Sequence, residues 1–379
     1  MRDNALVRVA GFGHGIWLDF VSRGMLVSGD LVSLIQENGV SGVGSNLAAL
    51  AQAIAAGADY AEDIAQLARR GLSAPQILDT LVVEDIRMSA DLLRPVYDRM
   101  DGRDGFASIE VSPGLAQECA GTLLEARRLW EMVDRPNVMI GIAGTSQGLA
   151  ALRQLIREGI NVRVNLLFGI PRYRAAAEAY LDGLSERAAR GLPMERIASV
   201  AGFPLGLIDQ AIDPMLARLA EQDGRLTRVV ASLKGESGIA CAKAARRLYL
   251  DLFADDRYLA LAARGARPQR LLWAGSRETS PSQIRYIEAL IGADSVTCAP
   301  LETLTAYREH GMAEPRLDHG VQEALGVLSR VGELGLDLNA ITRELEDEGA
   351  RQQVRCYDRV LQSIETRREA ALRLGAVAS

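Results

Sequence analysis

Chemistry that needs an amine has few sources in this chain. Of its 43 basic residues only Lys234 and Lys243 are lysines, and the rest are arginines, which stay protonated at ordinary pH and cannot form an imine. Lys234 sits in "SLKGESG", read as a surface loop, and Lys243 in the helical stretch "IACAKAARRLY". Both have the ordinary reading of solvated surface charge. Four cysteines, at 119, 241, 298 and 356, form no C-x-x-C pair, so neither a disulfide framework nor a zinc cluster is indicated and no metal or cofactor is expected. Three of them read as small buried hydrophobes. His14, just ahead of the first strand, is a candidate acid or base near a rim, weighed against the commoner surface histidine.

The elements that position these groups alternate along the chain. "RPNVMIGIAGTSQGL", residues 135–149, has the form of a strand ending in a loop that enters a helix, yet the strand bears no reactive side chain. Similar apolar runs are "IWLDF", "GVGS", "FASIEV", "NVMIGIA", "NVRVNLLF", "RIASVAGF", "RLLWAG" and "SVTCAP". Helical patterns lie between them, such as "SGDLVSLIQENG" with Ser28 as N-cap and "TSQGLAALRQLIREG" with Thr145 capping and Gly159 stopping the helix. Eight strands with helical crossovers predict an α/β fold, a (β/α)8 TIM barrel with additional helices. A doubly wound sheet is the rival, but no G-x-G-x-x-G follows an early strand.

At 379 residues and 48% hydrophobic content the chain can bury a large core. The expected organisation is a barrel over 1–317 with a helical insertion at about 46–104, and a helical extension over 318–379 packing on the barrel. A solvated face for a partner is the alternative for that extension. The net charge of −6 carries no basic block, which argues against nucleic acid and against an anionic membrane surface. No apolar run long enough to span a bilayer and no signal-peptide pattern are seen, so the default location is cytoplasmic. A small molecule is the expected partner, with a homodimer left open.

Three long stretches resemble the transaldolase family, in its longer bacterial branch. "IWLDFVSRGMLVSGDLVSLIQENGVSGVGSN" is similar to that family's first strand, helix and second strand. "RPNVMIGIAGTSQGLAALRQLIREGINVRVNLLFGIPRYRAAAEAYLDGL" is similar to its fourth and fifth strands, and "RPQRLLWAGSRETSPSQIRYIEALIGADSVTCAPLETLTAYREHG" to its seventh and eighth. The likeness covers about residues 12–372. It implies a transaldolase-like (β/α)8 barrel that moves a three-carbon dihydroxyacetone unit between sugar phosphates through a lysine Schiff base. The family's strand-four motif is M-I-K-I-P-A-T. Here it reads Met139, Ile140, Gly141, Ile142, Ala143, Gly144, Thr145, so the nucleophile position holds Gly141.

The resemblance also places the polar groups. Asp19 matches the family's first-strand aspartate, Asn46 its second-loop asparagine and Glu110 its third-strand glutamate, which implies Asp19 and Glu110 as catalytic and Asn46 as substrate-binding. Period-two alternation independently puts Trp17 with Asp19, and Ser108 with Glu110, on shared faces at strand ends. In strand five the family's asparagine and threonine become Arg163 and Asn165. An arginine inside a barrel needs a partner, and Asp19 or Glu110 are expected to provide it, either as a structural ion-pair network or in a site where Arg163 binds a substrate oxygen. Asn165 joins the catalytic candidates. In strand six the family's serine and arginine, which help hold the substrate phosphate, are absent from "SVAGFPLGL", residues 199–207. After strand seven "GSRETSP" lacks the family's lysine, leaving Ser276 and Arg277 as substrate-binding candidates. Gly141, Ala143, Gly144 and Gly202 are all small, so the pocket is expected to be enlarged, with Trp17, Phe20, Phe168 and Phe203 near its wall, unless these aromatics are plain core.

The resulting expectation is a repurposed barrel without imine chemistry. It would use Asp19 and Glu110 for acid–base condensation, cyclisation, dehydration or isomerisation of a non-phosphorylated carbonyl compound in specialised metabolism. Two alternatives stand beside it: a non-catalytic homologue that binds a metabolite or a partner protein, and a working transaldolase that uses a displaced lysine.

Overall fold

The computed structural model describes residues 4–57, 59–275 and 284–377. Eight strands, β1 (His14–Leu18), β2 (Gly42–Val43), β3 (Phe106–Glu110), β4 (Val138–Ala143), β5 (Val162–Asn165), β6 (Ser199–Pro204), β7 (Arg270–Ala274) and β8 (Ser295–Ala299), close into a parallel barrel with β8 beside β1. These strands read as almost unbroken apolar runs because helices cover their outer faces while their inner faces fill the barrel. In β4, Val138, Ile140 and Ile142 join the core beneath the helices, and Met139 joins the inner cluster with Trp17, Phe106, Val200, Leu272 and Val296.

Local signals explain most element ends. Thr145 Oγ1 accepts from Gly148 N at 3.0 Å to cap the helix Ser146–Glu158, and Gly159, at φ 97°, takes the left-handed turn that stops it. Ser28 departs from expectation, ending the helix Arg23–Ser28 rather than capping the next one. Gly29, at φ 86°, breaks the run there, and Ser28 Oγ accepts from Asp30 N at 3.3 Å. The first strand begins earlier than expected, so Asp19 and Phe20 lie just past its end. The fifth strand ends at Asn165 because Leu166 adopts φ 61°, which no strand can accommodate.

Between β2 and β3 stand the three expected extra helices, Leu47–Ala56, Ala61–Arg69 and Ala74–Arg99. Their shared core of Leu50, Ile54, Tyr60, Ile64 and Ile77 also contains Val360 and Ile364 of the terminal helix Leu338–Val377. At about 1.5 Å per residue its 40 residues span roughly 60 Å. It runs past the helices that follow β2 and β6 and the turn that follows β3, all at the C-terminal ends of the strands, and so crosses the barrel's mouth. Arg172 Nε meets Glu346 at 3.0 Å, and Gly349 leaves room for Leu166 and Phe168. Among the described residues no helix is long and apolar enough to cross a membrane.

Candidate active site

Among the described residues, two carboxylates, two amides and one guanidinium meet at the strand C-termini. Asn46 caps the helix Leu47–Ala56 by accepting from Ala49 N at 3.1 Å, which leaves its amide Nδ2 to donate to Asp19 Oδ2 at 2.9 Å. Glu110, the last residue of β3, accepts from Ser45 Oγ at 2.8 Å and from Asn165 Nδ2 at 2.7 Å. Asn165 Oδ1 in turn accepts from Arg163 Nε at 2.8 Å, and Arg163 Nη1 donates to Ser108 Oγ at 3.1 Å. The parallel register sets Glu110 beside Gly141 and Gly141 beside Arg163, so this chain of contacts passes over β4 at its glycine.

That glycine is the structural centre of the site. A Cβ placed on Gly141 would lie closer than 3.0 Å to both oxygens of the Glu110 carboxylate. The carboxylate therefore occupies the volume that any side chain at 141 would claim. Pocket growth, the expected result of so many small residues, is not what the packing shows. A Cβ on Gly144 would meet Leu167 Cδ2 at 2.7 Å, and one on Gly202 would meet Val164 O at 3.1 Å and Asn165 Oδ1 at 3.3 Å. Neighbours have moved into the vacated space, as close packing requires.

Arg163 is buried, and its contacts differ from the ion pair anticipated with Asp19 or Glu110. It reaches Glu110 through the Asn165 amide, a neutral bridge that leaves the carboxylate oxygens one further lone pair each. Asn165 thus spends both halves of its amide on Arg163 and Glu110. Arg163 also faces Cys298. Burial pushes that thiol up to about 11, Asp19 and Glu110 add to the effect, and Arg163 opposes it.

Several sequence expectations are corrected. Trp17 does not line the mouth. It fills the barrel floor against Phe106, donates its indole N–H to Asp104 Oδ1 at 2.8 Å, and needs Gly42, where a Cβ would come 2.5 Å from the ring. Phe203 points outward, packed on Tyr173 and Trp273 at 5.5 and 5.6 Å, because the even step of β6 that faces inward is Gly202. Phe168 is buried beneath Gly349 of the terminal helix, whereas Phe20 does border a cavity, one of about 80 Å³ that it lines together with Asn46 and Glu110. His14 is neither at the rim nor on the surface. It is buried at the opposite end of the barrel, bonded to Ser295 Oγ at 2.7 Å and Thr297 Oγ1 at 2.8 Å, and burial with the charge of Arg270 pushes its imidazole down to about 3. Ser276 and Arg277 lie outside the described residues.

Neither lysine reaches this cluster in the structure. Lys243 lies on the helix Ser237–Leu252 outside the strand ring, donates to the backbone oxygen of His319, and has its ammonium pushed below the ordinary value by burial. Lys234 caps the end of the helix Thr227–Leu233 and is exposed. Sequence reasoning missed Ser45 as a partner of Glu110 and Cys298 as a neighbour of Arg163. The signal for both was present: Ser45 directly precedes the matched Asn46, and Cys298 shares the inward phase of Val296 in β8.

A protein-family model described as Transaldolase/Fructose-6-phosphate aldolase matches residues 16–364. A protein named Transaldolase from Thiobacillus denitrificans is 41% identical over 358 residues, covering 94% of this chain and 98% of the relative. Transaldolase 2 of Nostoc sp. strain PCC 7120 is 39% identical, covering 96% and 98%. Transaldolase 1 of Streptomyces avermitilis is 37% identical, covering 95% of each. These near full-length matches overturn the expectation of a barrel repurposed for acid–base chemistry on a non-phosphorylated compound. They favour the reading that stood beside it as an alternative, a working transaldolase.

Proposed function

Because the chain belongs to the transaldolase/fructose-6-phosphate aldolase family, we propose that it is a transferase that carries out the transaldolase reaction. A three-carbon ketol unit would leave a ketose phosphate such as sedoheptulose 7-phosphate and join the aldehyde of an acceptor such as glyceraldehyde 3-phosphate. The observation that carries this reading is identity of 41% extending over 94% of the chain. The paired mouth carboxylates support it: cleaving a carbon–carbon bond beside a ketone requires a base to take the hydroxyl proton of the departing aldehyde and an acid to return a proton. Asp19, held by Asn46, and Glu110, held by Ser45 and Asn165, can fill these two roles, with Arg163 fixing Asn165.

The reaction also needs an electron sink, supplied by an imine between an amine and the ketose carbonyl. The described strands offer no amine and neither lysine reaches the carboxylates in this structure, so this reading demands that Lys243 or Lys234 be brought to the mouth during turnover. Lys243 is the better candidate, since burial moves its ammonium toward the neutral, nucleophilic form. The test is turnover of fructose 6-phosphate with erythrose 4-phosphate, followed by borohydride reduction and peptide mass mapping. Turnover with a dihydroxyacetone-derived adduct on Lys243 or Lys234 is expected. Absence of both turnover and adduct from protein of verified fold refutes the proposal. Assembly as a homodimer belongs to the same reading and is checked by sedimentation.

A further inference from the structure

We infer that the barrel end opposite the carboxylates carries a second site, one that binds a small organic phosphate monoester. A cleft of about 810 Å³ opens there, among the N-terminal ends of the strands, within the size range typical of small-molecule pockets, roughly 300–1,000 Å³. One wall is apolar and aromatic, with Val40, Val96, Met100, Phe253 and Tyr258. The Phe253 and Tyr258 rings meet edge to face at 5.0 Å. That wall suits the body of an organic ligand.

The other wall is arginine-rich. Arg103, Arg267 and Arg270 line it, and Arg196 stands beside them. Arg196 and Arg267 share one carboxylate, Asp101, at 2.9 and 3.1 Å, while Arg270 meets Asp104 at 3.3 Å. Arg99 and Asp294 also line the cleft, and Asp294 is bonded to Tyr249. Four guanidiniums, those of Arg99, Arg103, Arg267 and Arg270, thus line the cleft with two carboxylates, those of Asp104 and Asp294, leaving a surplus of two positive charges. Burial, with the like charges of Arg103 and Arg196, pushes the Arg267 guanidinium below its ordinary value despite Asp101. Arg267 Nη1 is buried without a hydrogen-bond partner. Arg99 and Arg103, exposed on the same cleft, hold no ion pair among the described residues, so this lining lacks an anionic partner that an incoming ligand can supply.

A phosphate monoester completes it. Near neutral pH it carries about −1.5 to −2 charges and three strong acceptor oxygens, matching the surplus, and guanidinium is the group best shaped to hold it with paired hydrogen bonds. Inorganic phosphate would satisfy the arginines but leave the aromatic wall bare. The site is independent of the transaldolase reading, because none of its residues belongs to the mouth.

The test is calorimetric titration of the full chain with phenyl phosphate and, separately, with inorganic phosphate. Phenyl phosphate is expected to bind saturably, and inorganic phosphate about tenfold more weakly, the difference expected for burying part of one ring. Arg103→Gln and Arg99→Gln, both at exposed positions that tolerate substitution, should each weaken phenyl phosphate by about fivefold to tenfold. Asn165→Ala, in the mouth, should leave it unchanged. Three results overturn the inference: no saturable binding of phenyl phosphate, binding indifferent to both arginine variants, or binding lost in Asn165→Ala instead. Equal affinity for inorganic phosphate overturns the assignment to a monoester.

Discussion

Gly141→Ala is the most informative single change in this barrel, because it asks whether the Glu110 carboxylate truly owns the space beside β4. The added methyl would lie closer than 3.0 Å to both carboxylate oxygens, so Glu110 has to swing away. It then loses the hydrogen bonds from Ser45 Oγ at 2.8 Å and Asn165 Nδ2 at 2.7 Å. Bonds to a charged group contribute about 1.5–3 kcal/mol each. Partial rebonding to water at the mouth should recover part of this, so a net loss of about 2–4 kcal/mol is expected. Glycine in a strand interior is intrinsically worse than alanine by roughly 0.5–1 kcal/mol, so backbone effects alone would push the other way. Urea denaturation with linear extrapolation measures the change. Glu110→Ala removes the clash, so the double variant should cost less than the sum of the singles by at least about 1.5 kcal/mol. A neutral or stabilised Gly141→Ala protein, or strict additivity in the cycle, would show that the carboxylate is not seated there and would refute the site geometry.

Four further outcomes follow from the same packing. His14 has a folded-state value of about 3 against an ordinary 6.5, so its contribution is fully present above pH 6.5 and is lost as the pH falls toward 3. At pH 4.5 wild type should have lost on the order of 3 kcal/mol that His14→Asn does not lose, as read by denaturation at pH 7.5 and 4.5. Arg163→Lys cannot serve Asn165 and Ser108 from one planar fork, so kcat/KM for the proposed transaldolase reaction should drop by about tenfold or more, with the fold retained by circular dichroism. Gly42→Ala drives a methyl into the Trp17 ring and should cost about 1–3 kcal/mol in thermal or urea unfolding. Ile364→Ala, at a fully buried position where the terminal helix meets the inserted helices, should cost about 3 kcal/mol and speed amide exchange in the helices Leu47–Ala56 and Ala61–Arg69.

The barrel was legible because each strand repeats one physical pattern, an apolar run between a glycine-stopped helix and a capped one, and eight such runs leave little topological freedom. The inserted helices and the tail were legible for a similar reason, a helical period with no strand available to receive it. The tail's destination, across the mouth rather than another face, rests on Val360 and Ile364 entering the core of the inserted helices, a long-range match that no local pattern announces. Side-chain direction was legible only where a strand's phase was secure. Asp19 and Glu110 fell on the inner face as their alternation required, whereas Phe203 was misjudged because its large ring suggested a pocket wall when the inward step belonged to Gly202.

The harder failure concerns Gly141, and its cause is physical. A glycine in an active-site strand reads as missing matter, and the sequence counts side chains without saying where their neighbours extend. Close packing does not leave such a volume empty: Glu110, one strand away, turns its carboxylate into the gap, and Asn165 is drawn in to hold it there. Asn165 and Arg163 then follow as a set, since a carboxylate in that position needs donors and a buried guanidinium needs acceptors. Substituting any one of these residues should therefore disturb the others, and couplings measured among Glu110, Gly141, Arg163 and Asn165 should be mutually large. Coupling of Trp17 to any of the four should be near zero, because Trp17, two residues below Asp19 on the same face, is tied to Asp104 at the opposite end of the barrel.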